Sequence, residues 1–403
     1  MSSPISPFSR ESLQNPYPFY SWLRKHSPVY KVPETGHYLV ASHKLIDDVC
    51  KKPEIFSSRI SSILRKSEDG GLHLVELGLD SPEQGVVLGA EDGDAHQRQR
   101  TLLGRCFIPE VRRLSPLIYE CARTSIHNLQ ASADHDLIKG FAKRMPQIVI
   151  ASILAIPLSE IEMLDRATNA AMIIIGGVST DEILLTEGMH LNRLREFLAE
   201  HFDQYDASTG VSSVMNGIKS AIESDHLSRG EAIGILFQLV IGGSETSVSL
   251  ISTILYILGG DEELFLKIKN DPELIPPFIE EALRLESPAQ GNYRRCIADT
   301  VLGGTEIFRD ATLTLLWGSA NRDESVFEQA DQFILGRNTS NAHLAFGKGI
   351  HFCLGATLAR MEAKIALEEL FSSGNKLVLT GGNAEYHESL FIRCLKQMPV
   401  QLA

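Results

Sequence analysis

Cys353 closes a glycine-rich run, Phe346-Gly-Lys-Gly-Ile-His351-Phe-Cys353-Leu-Gly355, immediately before a helical pattern that begins near Ala356. Gly347 and Gly349 allow a tight turn with positive φ. A thiolate at a helix start faces the positive end of the dipole and free backbone N–H groups, which lower its pKa. Gly355 lets that helix start approach something flat without a Cβ clash. Phe346 supplies an aromatic wall, and His351 is placed to reach an anionic group beside the sulfur. A soft thiolate, a flat apolar platform and a nearby cation suit iron in heme b (iron protoporphyrin IX), with the Cys353 thiolate as axial ligand.

A second constellation lies in the middle of the longest helical pattern, Gly242-Gly243-Ser244-Glu245-Thr246-Ser247. Glycine in a helix interior costs about 1 kcal/mol relative to alanine, so two in succession ask for a reason. Their missing side chains widen a groove for a diatomic ligand and a substrate. Glu245 and Thr246 place an acid and a hydroxyl beside that groove, the parts of a proton path. Two charge pairs share helical faces: Glu281 with Arg284 at i,i+3, and His96 with Arg100 at i,i+4. Taken alone, the first reads equally as a surface ion pair.

The elements that must hold these groups are mostly helical. A helix is expected from Pro16 to His26, followed by short strands around Val29–Val32 and Tyr38–Ala41. The polar stretch from Arg59 to Asp94 carries little periodicity. Helical patterns run from His96 to about Tyr205, from Ser228 to Leu258, from Asp271 to Leu285, and from Cys353 to about Phe371. Turns are expected at Gly303-Gly304 and Gly381-Gly382. Thirty residues at about 1.5 Å each make the Ser228–Leu258 helix long enough to cross a whole domain. Strands and helices do not alternate, which argues against a doubly wound sheet or a barrel. The expected fold class is mainly α with small β-sheets (α+β), one domain spanning 1–403 with a long central helix.

Composition narrows the function. With 43% hydrophobic and 22% charged residues among 403, the chain is ordinary globular protein. A net charge of -13 makes nucleic acid a poor partner. The apolar stretch from Ala232 to Leu258 is interrupted by Gln238, Glu245 and Thr246, so it reads as a core helix and not a membrane span. Residues 1–16 lack the apolar run of a secretory signal, which points to a cytoplasmic protein. The six cysteines form no CxxC pair; five read as buried reduced thiols and Cys353 as the exception.

The run from His343 to Gly355 resembles the haem-binding loop of the cytochrome P-450 family, Phe-x-x-Gly-x-x-x-Cys-x-Gly, at every fixed position. The Gly242–Ser247 run matches the family's Ala/Gly-Gly-x-Asp/Glu-Thr-Thr/Ser. The resemblance implies the cytochrome P-450 fold and a buried Glu281–Arg284 pair bonded to the segment Phe327–Phe333. It also implies that Thr246 organises dioxygen and that Glu245 passes protons. His96 and Arg100 match the family's His-x-x-x-Arg for the haem propionates, although Asp92-Gly93-Asp94 replaces the usual Asp-Pro-Pro. Arg294 matches the third propionate ligand, with Arg295 as the alternative. Phe308-Arg-Asp-Ala-Thr312 departs from the usual Pro-Ala-Gly-Thr and suggests a bulged hairpin.

The implied activity is a monooxygenase that hydroxylates, or otherwise oxidises, a medium-sized apolar organic substrate. Its electrons would come from a ferredoxin and a ferredoxin reductase, docking near Lys348, Arg98, Arg105, Arg112 and Arg113 in a monomeric enzyme. A peroxide-driven peroxygenase of the same fold and a haem-based gas sensor are the alternatives; neither needs the Glu245–Thr246 pair. Family topology places substrate against five segments: Gly85–Ala90, Thr168–Ile175, Leu239–Gly243, Ala289–Tyr293 and Phe391-Ile392. The candidate contacts are Val87, Leu88, Ile174, Ile175, Phe391 and Ile392, with Gln290 and Asn292 as polar anchors.

Overall fold

The computed structural model describes residues 6–33, 35–67, 70–76, 87–131, 135–337, 342–374, 376–382 and 384–402. Its axis is the central helix, Arg229–Gly259. At its start the Ser228 hydroxyl accepts from the Glu231 N–H at 3.2 Å, and the Glu231 carboxylate accepts from the Ser228 N–H at 2.8 Å. This reciprocal cap satisfies two N–H groups that otherwise lack helical partners. Inside, the Ser244 and Ser252 hydroxyls donate to Val240 and Val248 carbonyls one turn back, so buried hydroxyls carry no desolvation debt. Among the described helices this one is long and apolar enough to cross a membrane, yet 67% of its most apolar window is buried within the fold. It is the core helix the interrupting polar residues predict.

Around it pack the helices Gly93–Arg113, Ser115–Ala131, Arg144–Ile153, Ile161–Gly176, Asp181–Gln204, Ile275–Leu285 and Ala356–Ser372. Their inward stripes and the central helix form the largest apolar cluster. Gly243 shows how close the packing is. A Cβ there would lie 2.5 Å from Ile150 Cδ1, whereas one on Gly242 would meet nothing within 4 Å. Gly242 therefore opens the groove, and Gly243 makes room there for the Ile150 side chain.

A five-stranded sheet stands beside this body in the order Val29–Lys31, Tyr38–Val40, Thr312–Leu315, Asn292–Cys296, Phe56–Ser57. The pairing of Tyr38–Val40 with Thr312–Leu315 is parallel and the others are antiparallel. The Gly303-Gly304 turn joins strands Thr300–Leu302 and Thr305–Ile307, with φ of 56° and 82°, the left-handed pair a tight hairpin needs. The Arg59–Asp94 stretch, little periodic in sequence, contains a hairpin, Ser62–Lys66 with Leu72–Glu76. Among the described residues no strand pair is joined directly across Gly381-Gly382. Instead Leu377–Leu379 pairs with the distant Val400–Leu402, a partner no local pattern could reveal.

Glu281 and Arg284 on the Ile275–Leu285 helix are both fully buried. The guanidinium donates to both carboxylate oxygens at 2.9 and 2.8 Å and to the carbonyls of Asn321, Ala330 and Gln332. Glu281 also accepts from the Ile334 N–H and from Arg337 at 3.1 Å, and Arg284 lies over the Phe327 ring. This is a buried knot and not a surface pair; Arg337 is a member that an i,i+3 spacing cannot disclose. Asn321 extends it, accepting from the Leu344 N–H at 2.6 Å, where the Cys353 loop begins.

Candidate active site

The Cys353 loop turns as its glycines require, with φ of 69° at Gly347 and 73° at Gly349. The Cys353 N–H donates to the Phe346 carbonyl at 2.9 Å. A Cβ on Gly349 would lie 2.7 Å from the Cys50 carbonyl, so close approach also demands glycine. Arg360, held by Glu280, stacks over Phe346 at 4.4 Å, and His343 bonds the same carboxylate at 2.8 Å. These clamps fix the loop against the Ala356–Ser372 helix.

Cys353 opens on a cavity between its own loop and the central helix, walled by Gly242, Gly243, Thr246, Ser247 and Leu250 on one side and Phe346, Gly347, Gly355 and Leu358 on the other. Cys353 is the one exposed thiol of the six. Desolvation pushes its thiol up, against the Gly355 and Ala356 N–H groups and the Arg100 and Arg360 charges, which pull it down as the helix-start position predicts.

One rim of the cavity gathers His96, Arg100, Arg294 and His351. His96 and His351 lie ring to ring at 4.4 Å. Burial, His351 and Arg100 push His96 down to about 4. Arg100 donates to the Phe352 carbonyl at 2.6 Å. His351 Nε2 bonds Asp92 at 2.9 Å, while its buried Nδ1 has no partner among the described residues. Asp92 also accepts from the Ser58 N–H at 2.8 Å, so the aspartate of the altered Asp92-Gly93-Asp94 motif orients the histidine. Side chains alternate along a strand, and this separates the two arginines. Asn292 and Arg294 face the cavity, whereas Arg295 bonds Asp310 at 2.7 Å.

Substrate-side expectations divide. Leu88 and Asn292 line the cavity; Val87, Ile174, Ile175, Gln290, Phe391 and Ile392 do not. Val87 is buried in the main core. The helix phase of Ile161–Gly176 turns Thr168 and Met172 inward and leaves Ile175 38% exposed, with Ile174 beside it partly buried. Gln290 turns away to donate to the Ser287 carbonyl at 2.6 Å. Phe391 packs tilted against Tyr293 at 4.4 Å in the N-terminal core, and Ile392 bridges to Ala289. Gly85 and Val86 lie outside the described residues. Leu88 adopts a left-handed φ of 44°, which costs about 1–2 kcal/mol for such a residue. The Gln99 side chain holds it there by accepting from its N–H at 2.9 Å.

Sequence reasoning missed Gln238, which lines the cavity and accepts from the Gly89 N–H at 3.3 Å. Its phase, one turn before Gly242, was the available signal. Glu245 is not part of the cavity wall. It is buried, accepts from Thr168 at 3.1 Å, and its second oxygen has no partner among the described residues. Of the basic residues expected at a docking face, Lys348 is paired with Asp47 and Arg98 with Glu231. Arg105, Arg112 and Arg113 of the Gly93–Arg113 helix are exposed.

An apolar slot with a thiol at its floor and four basic side chains on one rim fits a flat, apolar, dianionic group. A family model described as Cytochrome P450 matches residues 184–373. Cytochrome P450 144 of Mycobacterium tuberculosis is 31% identical over 366 residues, 90% of this chain and 83% of that one. The biotin biosynthesis cytochrome P450 of Bacillus subtilis is 30% identical over 405 residues, 99% of each. Among solved structures, CYP109E1 from Bacillus megaterium, in complex with testosterone, superposes with a TM-score of 0.83 at 28% identity, covering 97% of this chain and 99% of that one. The chain belongs to the cytochrome P450 family. It is an oxidoreductase of the monooxygenase class, with haem held through an axial cysteine thiolate.

Proposed function

We propose that Cys353 is the axial ligand and that the chain is a ferredoxin-dependent, cytoplasmic monooxygenase acting on a medium-sized apolar organic molecule. One observation carries the reading: the Cys353 thiol, Thr246 and the basic rim of His96, Arg100, Arg294 and His351 all border one cavity. Bound haem would supply the activation of dioxygen, helped by electron density from the thiolate, with the two reducing equivalents arriving from the ferredoxin. The residues do the rest. Arg100, Arg294, His96 and His351 would hold the two propionates, with Asp92 fixing the His351 ring through Nε2 and leaving its Nδ1 free of partners among the described residues. Phe346 and Leu358 exclude water from the slot. The Thr246 hydroxyl, now donating to the Gly242 carbonyl at 2.8 Å, is the group on the wall able to donate toward a ligand in the groove. Glu245 replenishes that proton once it leaves Thr168.

Leu88, Gln238, Leu239 and Asn292 form the substrate wall, apolar with two amides. The bound testosterone in the Bacillus megaterium relative supports an apolar substrate of that size. An acidic ferredoxin fits Arg105, Arg112 and Arg113 best, since Lys348 and Arg98 are already paired. The intact Glu245–Thr246 pair favours this reading over a peroxygenase or a gas sensor. The test is a difference spectrum of the dithionite-reduced protein with carbon monoxide, followed by product analysis with a surrogate ferredoxin and its reductase. Cys353→Ser should abolish the red-shifted thiolate band. A variant that kept the band would disprove the ligand assignment.

A further inference from the structure

Leu88 stands on the cavity wall in a backbone conformation that leucine avoids, with φ of 44°. Such a residue persists only where its surroundings over-determine it. Two glutamine side chains do so here. Gln99, buried on the Gly93–Arg113 helix, accepts from the Leu88 N–H at 2.9 Å and donates to the Glu231 carboxylate at 2.9 Å. Oxygen and nitrogen of that amide are both engaged, which fixes its orientation. Gln238 comes from the central helix. Its amide oxygen takes the Gly89 N–H, and its nitrogen, in the orientation that satisfies both groups, donates to the Val87 carbonyl at 3.0 Å. Gln238 follows Glu231 by about two helical turns, so both attachments end on one face of the central helix. Gly89 is fitted to this contact: a Cβ there would lie 2.6 Å from Gln238 Nε2.

We propose that Gln238 and Gln99 are positioning residues for the oxidation, a two-sided latch that holds Leu88 as a fixed stop on the substrate wall. This rests on the reading of the cavity as the oxygenation site. The two amides act through the backbone of residues 87–89. They set where the Leu88 side chain stands, hence how bulky a molecule can lie beside the groove at Gly242 and which of its carbons faces that groove. The backbone strain gives the latch its consequence. A left-handed leucine is disfavoured, so a turn released from either glutamine relaxes away from its present position.

The test compares haem-loaded wild type with Gln238→Met, Gln99→Met, Gly89→Ala and Leu88→Gly. Methionine is unbranched like glutamine but offers no amide. Amide hydrogen exchange reads the latch. Gly89 should exchange faster in Gln238→Met, and Leu88 in Gln99→Met, by about two- to tenfold, the scale of one neutral hydrogen bond. Leu88→Gly removes the stop at a φ that glycine accepts, so Gly89 should stay slow there. Azole binding, followed by the haem spectrum, reads the stop. Imidazole reaches the iron alone and reports the site, whereas a trityl-substituted imidazole must also clear the wall. The affinity for the bulky azole relative to imidazole should rise by about tenfold in Gln238→Met, Gly89→Ala and Leu88→Gly, the scale of relieved overpacking. Gly89→Ala is the sharpest of these, because it keeps Gln238 and displaces only its amide. A merely structural role would lower the unfolding midpoint and leave that ratio alone. The proposal is overturned by an unchanged ratio in Gln238→Met and Gly89→Ala, or by Gly89 exchange that Gln238→Met does not alter. A wild type with slow Gly89 exchange but no spectral shift on adding imidazole would sink the site reading, and the positioning role with it, while the latch itself stood.

Discussion

The Thr168 hydroxyl donates to Glu245 Oε1 at 3.1 Å and so ties the Ile161–Gly176 helix to the central helix through a buried acid. Burial pushes the Glu245 carboxyl up, with Lys143 and the Thr168 bond pulling it part of the way back. Lys143 is itself paired with Asp165 at 3.0 Å, so a partly exposed charged pair acts on the acid from one side. The bond to Thr168 must break before Glu245 can serve the cavity.

Thr168→Val removes the bond without changing the shape of the site much. The carboxyl loses a partner that favours its charged form, so its pKa should rise further. The donor form then survives to higher pH. The pH at which product per reducing equivalent declines should move upward relative to wild type. A profile that does not move would show that Glu245 is not the group being read.

Removing either partner of the Glu281–Arg284 knot leaves a buried charge uncompensated, at a cost of about 3–5 kcal/mol. That is a large share of a domain's stability. Glu281→Ala and Arg284→Ala should give little haem-loaded soluble protein. Arg337→Ala should cost less, because Glu281 retains Arg284 and the Ile334 N–H. Denaturant midpoints rank the three; equal stability of Arg284→Ala and wild type would contradict the buried network.

The basic rim makes a prediction about haem retention. His96→Ala and Arg100→Ala should each weaken haem binding and shift the reduction potential, while the thiolate carbon monoxide band stays. Asp92→Asn should act more weakly and in the same direction, because it frees His351 without removing it. Transfer of haem to an acceptor protein measures this directly. Wild-type transfer rates in the His96, Arg100 double variant would remove both from the propionate site.

Much of this was legible because it is local. The turn at Gly347 and Gly349, the cap at Ser228 and the facing of His96 with Arg100 follow from short-range spacing. What stayed hidden depends on partners distant in the chain. Arg337 joins Glu281 from 56 residues away, and Ser247 meets Glu362 from 115. The substrate wall was hard for a different reason. Segments were named by family topology, but which residues of a segment turn inward is a matter of phase, and Ile174, Ile175 and Gln290 fell on the wrong side.

Thr246→Ala tests function where the others test architecture. Thr246 forms the cavity wall and its hydroxyl is held one turn back by the Gly242 carbonyl at 2.8 Å, a bond internal to the helix. The substitution therefore removes a donor without leaving a buried partner stranded, and the fold should be unaffected. Substrate binding and electron acceptance should persist. Proton delivery should suffer, so more reducing equivalents should be consumed as peroxide and fewer as product. General acid–base assistance is worth about 10²- to 10⁴-fold, but Ser247 next to Thr246 holds a hydroxyl on the same wall, so the loss should sit toward the low end of that range. Activity with peroxide supplied directly should be largely kept, because peroxide brings its own protons. Product per reducing equivalent is the decisive measurement. Equal coupling in variant and wild type would refute the role of Thr246 and bring the peroxygenase and gas-sensor readings forward.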